Sequence, residues 1–301
     1  MQAAIDIQKL SKRYHGSKTY ALKDLTLQVQ PGEVYGFLGP NGAGKSTTIR
    51  TLMNFIQPTS GSATVLGKDI VKDSVAVKQS IGYLPSDTAL YPKMTGEQFL
   101  DYMEELQPAA STAYRKELLK RFKAEPRKKL GELSRGNRQK ISIVQAFMHK
   151  PQVLILDEPT SGLDPLMQEA FYELVLETKQ RGASIFTSSH ILSEVQRICD
   201  RIGIIREGEL ISERSIAEMA SEAAQTFDVT FAGKAPIGKL KTIKGVRIAH
   251  QDGPMVTIHL HGELQPLLAE LSKHKVTRLE ARQLDLEEMF LRFYEQEGGR
   301  S

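Results

Sequence analysis

Two short stretches of this sequence set chemistry-bearing residues at telling spacings. The first is GPNGAGKST: Gly39, Pro40, Asn41, Gly42, Ala43, Gly44, Lys45, Ser46 and Thr47. It fits G-x-x-x-x-G-K-[ST], the spacing of a loop whose backbone amides wrap phosphate oxygens. Glycine lets such a backbone curl around an anion without a Cβ in the way. Lys45 then reaches the outer phosphates of a triphosphate, and Ser46 offers a hydroxyl to Mg²⁺. The second stretch is VLILDEPTSGLD, residues 153–164. Asp157 follows a short apolar run, where a carboxylate can hold Mg²⁺ directly or through water. Glu158 stands next to it, placed to take a proton from an attacking water.

These residues need elements to position them. VYGFL, just before the glycine loop, reads as a buried strand, and STTIRTLMNFI after it carries helical spacing until PTSG at 58–61 breaks it. VLIL is fully apolar and bounded by Pro151 and Asp157, as in a strand covered on both faces. Ligand sites in parallel sheets lie at the carboxyl ends of the strands, which is where both stretches fall. Residues 87–150 turn helical and basic. A helix follows at roughly 166–180, then the strand ASIFTSS, the helix ILSEVQRICD and strands around RIGIIREGELI. Strands alternating with helices predict an α/β fold. After about residue 215 the texture changes. FDVTFAG and VRIAHQDGPMVTIHLHG read as strands, the latter a hairpin turning at Asp252-Gly253, and ELQPLLAELSKH and DLEEMFLRFYEQ read as amphipathic helices. That predicts a small α+β domain.

Bulk properties bound the rest. At 301 residues, two domains are expected. The single cysteine, Cys199, excludes an internal disulfide framework and reads as a small buried apolar side chain. No apolar run approaches the ~18 residues that span a bilayer, and the N-terminus lacks a signal-peptide layout. A cytoplasmic chain follows, with any membrane role supplied by a partner. Net charge is +4, yet residues 115–140 alone hold eleven Lys or Arg against three Glu. A solvated face is the plain reading of that segment, and a surface for anionic lipid or nucleic acid is the functional one.

Taken in order, GPNGAGKST, LSRGN, LILDEPTSGLD and TSSH resemble the motifs of the ATP-binding subunit of an ABC transporter, over roughly residues 4–215. The resemblance implies a P-loop NTPase (RecA-like) α/β core at 1–215, with a helical subdomain at about 87–150. Residues 216–301 form the small C-terminal α+β domain. Its ending, LEARQLDLEEMFLRFY, is similar to accessory domains of subunits that serve drug, antibiotic or lipid exporters, whose membrane-spanning partner is a separate chain. By the same resemblance, ATP and Mg²⁺ are the ligands, held by residues 39–47 and Asp157. Glu158 is the catalytic base and His190 the switch that contacts the γ-phosphate. Tyr14 stacks on adenine, with Tyr20 the second candidate. Ser134, Gly136 and Asn137 close over ATP held by a second ATP-binding subunit, packed head to tail, and Asp164 communicates across that dimer. A homodimer is expected, with pairing to a paralogue as the other option. The expected location is the cytoplasmic face of the cell membrane, and no nucleic-acid partner is expected.

Two departures from the family pattern stand out. The family's Leu-Ser-Gly-Gly-Gln is here Leu-Ser-Arg-Gly-Asn, with Arg135 for the first glycine and Asn137 for the glutamine. In IGYLPSD the usual glutamine after proline is Ser86, whose hydroxyl is too short to copy its reach, so Asp87 or an added water is the expected substitute. The alternative reading of the whole chain is a soluble ABC ATPase that acts on ribosomes or DNA. It rests on the basic segment alone.

Overall fold

The computed structural model describes residues 2–86, 91–107, 112–222 and 225–282. The chain divides into two compact units, residues 1–216 and 217–301.

In the first unit, β1 (Ile5–Lys12) pairs antiparallel with β2 (Leu22–Val29). β3 (Val34–Leu38) is buried at every position, as its unbroken apolar sequence requires. The glycine loop leads from β3 into α1 (Lys45–Leu52). α1 is shorter than the apolar spacing up to Ile56 suggests. Asn54 adopts φ 51°, and the amides of Phe55 and Asn54 donate to the carbonyls of Arg50 and Thr51. That is a Schellman closure, with asparagine in the left-handed position.

β4 (Ser60–Val65) and β5 (Lys68–Asp69) complete a four-stranded antiparallel sheet of order β2-β1-β4-β5. α2 (Ser74–Ser80) leads to β6 (Ile81–Leu84). Three helices then follow: α3 (Gly96–Leu106), α4 (Thr112–Arg121) and α5 (Arg135–Phe147). A Thr95/Gln98 capping box starts α3, and Ser134 caps α5. β7 (Val153–Asp157) precedes α6 (Pro165–Gln180), which Asp164 caps with proline at the first turn. β8 (Ser184–Ser189), α7 (Leu192–Ile198), β9 (Arg201–Arg206) and β10 (Glu209–Ser215) finish the unit.

The main sheet has the order β10-β9-β3-β8-β7-β6. Its pairings are parallel from β9 to β6, with β10 as an antiparallel edge. Leu38 lies opposite Ser189, and Asp157 opposite Ser188. β3, β7 and β8 therefore end level with one another, and the residues that follow them leave from one rim. Beneath this rim a core of Ile5, Ile7, Leu27, Phe37, Ile49, Ile155 and Phe186, among others, fills the space between the two sheets and α1. This packing is what holds the rim rigid.

The second unit opens on α8 (Ile216–Glu222), which starts at the division. It continues through β11 (Gln225–Phe231), α9 (Ile237–Leu240), β12 (Val246–Asp252), β13 (Met255–Leu260), α10 (Gln265–Leu271) and β14 (Val276–Arg282). From β11 onward the order β-α-β-β-α-β, with an antiparallel sheet β12-β13-β11-β14, is the ferredoxin-like arrangement. β12 and β13 form the expected hairpin, with Asp252 opposite Met255 and Gly253 at φ 54°. Phe227, Val229 and Phe231 alternate inward along β11 and pack with Leu240, Leu267 and Leu271 from α9 and α10. The run DLEEMFLRFYEQ lies outside the described residues. Among the described residues, no helix is long and apolar enough to cross a membrane.

Candidate functional site

The glycine loop is built on close approach. A Cβ on Gly39 would sit 2.4 Å from the Ile205 carbonyl oxygen, so the backbone there can pass β9 only without a side chain. Gly44 has φ 114° and is the N-cap of α1, with no side chain capping the helix and no acid in its first turn. The free amides of α1 and the loop thus face outward with the positive end of the helix dipole. Lys45 is buried. Its ammonium donates to the carbonyls of Gly39 (2.7 Å) and Pro40 (3.1 Å) and lies 3.6 Å from Glu158 Oε1. Burial lowers the Lys45 pKa, and the neighbouring Glu158 and Asp157 carboxylates oppose that shift. Ser46 and Thr47 stand half-buried in the first turn of α1. Thr47 Oγ1 is 3.4 Å from the Tyr14 hydroxyl, so the exposed Tyr14 ring stands beside the loop, with the Lys12 ammonium 5.5 Å from its centre. Tyr20 is also exposed, and the Arg13 guanidinium covers it at 5.5 Å.

Across the rim, Asp157 is buried at the end of β7 and accepts a 2.5 Å hydrogen bond from Ser188 Oγ. The next residue, Glu158, turns sharply with φ 48°, left-handed for a non-glycine residue. Its amide donates to Ser188 Oγ (3.2 Å) and to the Ser188 carbonyl (3.2 Å). Its carboxylate spans the rim, with Oε1 3.6 Å from Lys45 Nζ and 3.2 Å from His190 Nδ1. Three loops from three strands therefore converge on one carboxylate. A loop of free amides, a buried cation and an adjacent carboxylate can together receive a polyphosphate and activate a water against it.

Ser134, Gly136, Asn137 and Asp164 lie elsewhere. Among the described residues, no hydrogen bond or ion pair joins the first three to residues 39–47. Ser134 Oγ accepts from the Asn137 amide at 3.3 Å, and Asn137 Nδ2 donates to Glu125 Oε1 at 3.5 Å. The start of α5 packs instead on the loop after Glu158. Arg135 Nη2 donates to Ser161 Oγ (2.8 Å), and Gln139 Nε2 donates to the Pro159 carbonyl (2.7 Å). A Cβ on Gly136 would fall 2.6 Å from the Gly162 carbonyl oxygen. Arg135, the residue that departs from the usual pattern, thus has a partner in its own chain. Asp164 Oδ1 accepts from the Met167 amide at 3.0 Å, and Lys140 approaches Asp164 at 3.9 Å.

Sequence reasoning missed several participants. Ser188 orients Asp157 and Glu158 together, yet it reads as one serine among three. Tyr83 on β6 has its hydroxyl pushed up to about 12, first by burial and then by the Asp157 charge, so it stays a donor. Glu194 bridges Thr160 and Ser189. Ser86 is half-buried, and Asp87 lies outside the described residues. The Cys199 thiol is buried, and burial raises its pKa, as the inert reading expects.

Among the described residues, four of the eleven cations of residues 115–140 have acid partners. Arg115 is buried between Asp101 (2.6 Å) and Glu104 (2.8 Å). Arg121 binds Glu173 (3.2 Å) and Glu177 (2.7 Å), and Lys128 binds Glu125 (2.5 Å). Arg115 and Arg121 are thus drawn toward acids outside the segment, while Lys128 pairs within it.

Among the described residues, no cluster of three His, Cys, Asp or Glu could hold a metal unaided. One carboxylate, Asp157, and one hydroxyl, Ser46, are hard oxygen donors that suit Mg²⁺ when phosphate oxygens complete the shell.

Comparison with known proteins gives the family. Residues 22–161 match the family model described as ABC transporter. An uncharacterised ABC transporter ATP-binding protein of Synechocystis sp. is 38% identical over 227 residues, covering 71% of this chain and 64% of that protein. This chain thus spans a little under two thirds of that relative's length. The linearmycin resistance ATP-binding protein LnrL of Bacillus subtilis is 33% identical over 301 residues, covering 93% of this chain and 95% of that one. A solved structure described as the ATP-binding subunit of an ABC transporter superposes with a TM-score of 0.66 at 32% identity, covering 72% of this chain and 91% of that one. By its ordered motifs, its fold and these relatives, the chain belongs to the ABC transporter family, among its ATP-binding proteins.

Proposed function

We propose that this chain is the ATP-hydrolysing motor subunit of an exporter. The observation that carries the reading is the convergence of Lys45, Glu158 and His190 beside Asp157 on one rim. Residues 39–47 wrap the phosphates of ATP, Lys45 neutralises the outer ones, and Tyr14 stacks on the adenine. Lys45 is shared between loop carbonyls and Glu158, and an incoming phosphate competes for it. Binding therefore draws the ammonium away and leaves the Glu158 carboxylate free to accept a proton from the attacking water. His190 holds the far side of that carboxylate and follows the γ-phosphate. Ser46 and Asp157 would hold Mg²⁺, which supplies charge neutralisation at the phosphates when bound.

Two copies close head to tail. Ser134, Gly136 and Asn137 sit on a helix tip that, among the described residues, makes no hydrogen bond to its own phosphate loop, which supports their acting on the ATP of a partner. Asp164 starts the neighbouring helix α6 and relays closure between the two copies. A separately encoded transmembrane subunit docks on the helical region. Tyr91, Tyr102 and Leu106 there are large apolar side chains left exposed, and Tyr91 packs edge-on to Tyr102 at 6.0 Å. Such patches suit a protein partner. The export direction draws on the resistance function named for LnrL. Residues 217–301 serve as an accessory domain. The ribosome or DNA reading still has only the basic segment behind it, and Arg115 and Arg121 in that segment are turned to acids of their own chain.

Glu158→Gln tests the reading. Steady-state hydrolysis should fall by at least ~10²-fold, the usual worth of a general base. ATP affinity should persist, and an ATP-bound dimer should accumulate on size-exclusion chromatography. Parental turnover in this variant would refute the assignment of the base.

A further inference from the structure

We infer that Glu194 is a positioning residue that locks the loop carrying Glu158 to the loop carrying His190. Thr160 Oγ1 donates to Glu194 Oε1 at 2.5 Å, and Ser189 Oγ donates to Glu194 Oε2 at 2.8 Å. Thr160 lies two residues after Glu158, and Ser189 immediately precedes His190. Each oxygen of one carboxylate therefore holds a different loop. Ser189 Oγ also accepts from the Ile191 amide at 2.9 Å, so the turn that presents His190 is fastened on both sides.

The arrangement has a geometric consequence. The 3.2 Å contact between Glu158 and His190 joins side chains from two strands whose register ends at Asp157 and Ser188, with a last backbone bond from the Glu158 amide to the Ser188 carbonyl. Beyond that register, among the described residues, the Thr160–Glu194–Ser189 bridge and the contact itself tie the two loops side chain to side chain. The bridge lies beside a cavity of about 10 Å³ lined by Thr160, Tyr172, Ser189 and Glu194 among others, at the lower limit for one water. At 2.5 and 2.8 Å both bonds of the bridge are direct. Among the described residues, Glu194 bonds neither Lys45, Glu158 nor His190, so its effect on the reaction runs through the two loops.

The inference rests on Glu158 and His190 acting as proposed above, and it sets Glu194 apart from a residue needed only for folding. Loss of positioning lowers the chemical step more than substrate binding. The test uses the full chain, with ATP as the probe. Glu194→Ala should lower kcat by ~10–100-fold, with KM for ATP and the melting temperature close to parental. Glu194→Gln should recover most of the rate, because its amide oxygen still accepts from Thr160 while its NH₂ donates to the Ser189 oxygen. Thr160→Val, which keeps the shape and removes one bond, should give a smaller drop in kcat. Parental kcat in Glu194→Ala would overturn the inference. So would a variant in which kcat, KM and melting temperature all deteriorate together and glutamine rescues none of them. Normal turnover in Glu158→Gln, by contrast, removes the base assignment whatever the Glu194 series shows, so the two failures are separable.

Discussion

Gly39 shows how tightly single residues are specified here. A methyl at this position meets the Ile205 carbonyl oxygen at 2.4 Å, and backbone cannot swing aside as a side chain can. Gly39→Ala should therefore shift the loop and weaken ATP binding by roughly tenfold or more, the equivalent of ~1–3 kcal/mol of forced overpacking. Calorimetric titration with MgATP measures it, and unchanged affinity would mean that the loop absorbs the methyl elsewhere. Such residues are legible in sequence because their chemistry is local: the glycine spacing, Lys45 and the Asp157-Glu158 pair each announce themselves within a dozen residues. Glu194 does not. Its two partners lie 34 and 5 residues away, and a glutamate in the first turn of a helix is ordinarily read as complementing the dipole. Ser188 was hidden in the same way, since only the register of β8 against β7 brings its hydroxyl to Asp157.

At the scale of elements, α5 and the loop after β7 behave as one piece. Arg135, Gly136 and Gln139 fasten three successive points of residues 159–162. Gly136→Ala tests that contact by the sign of its effect. In a free helix, alanine stabilises by up to ~1 kcal/mol over glycine. Against the Gly162 carbonyl oxygen at 2.6 Å, the same methyl should destabilise by about 1–3 kcal/mol and slow hydrolysis. A raised melting temperature in differential scanning fluorimetry would show that the two elements part readily. Sequence periodicity anticipated β3, β7, β8 and the β12–β13 hairpin, since each is a short run with one pattern and clear breakers. It overran α1, where the apolar spacing continues to Ile56 but Asn54 has already closed the helix. It also treated eleven cations in residues 115–140 as one feature. Folding sets two of them apart, with Arg115 turned inward to Asp101 and Glu104 and Arg121 toward α6.

At the scale of the whole molecule, each of the two units has, among the described residues, a core cluster drawn from its own residues. A ligand that binds one native unit stabilises that unit by mass action and leaves the other as it was. Calorimetry should therefore show two unfolding transitions, of which MgATP raises only one. Leu240→Ala, which empties a fully buried position of the second core, should cost ~2–5 kcal/mol in the transition that ATP does not move. A single transition shifted as one by both perturbations would show that the units unfold as a single cooperative block. The texture of the sequence changes near the division at residue 216, because a ferredoxin-like unit alternates its apolar residues by two while the parallel strands before it do not.

The left-handed turn at Glu158 has an evolutionary corollary. An L-residue with a long side chain sits there at φ 48°, where glycine or asparagine would rest more comfortably. Drift under selection for folding alone would replace it. If Glu158 is the base proposed above, a descendant of this chain found with glycine at that corner would be the more durable protein, and it would grip its nucleotide without ever spending it.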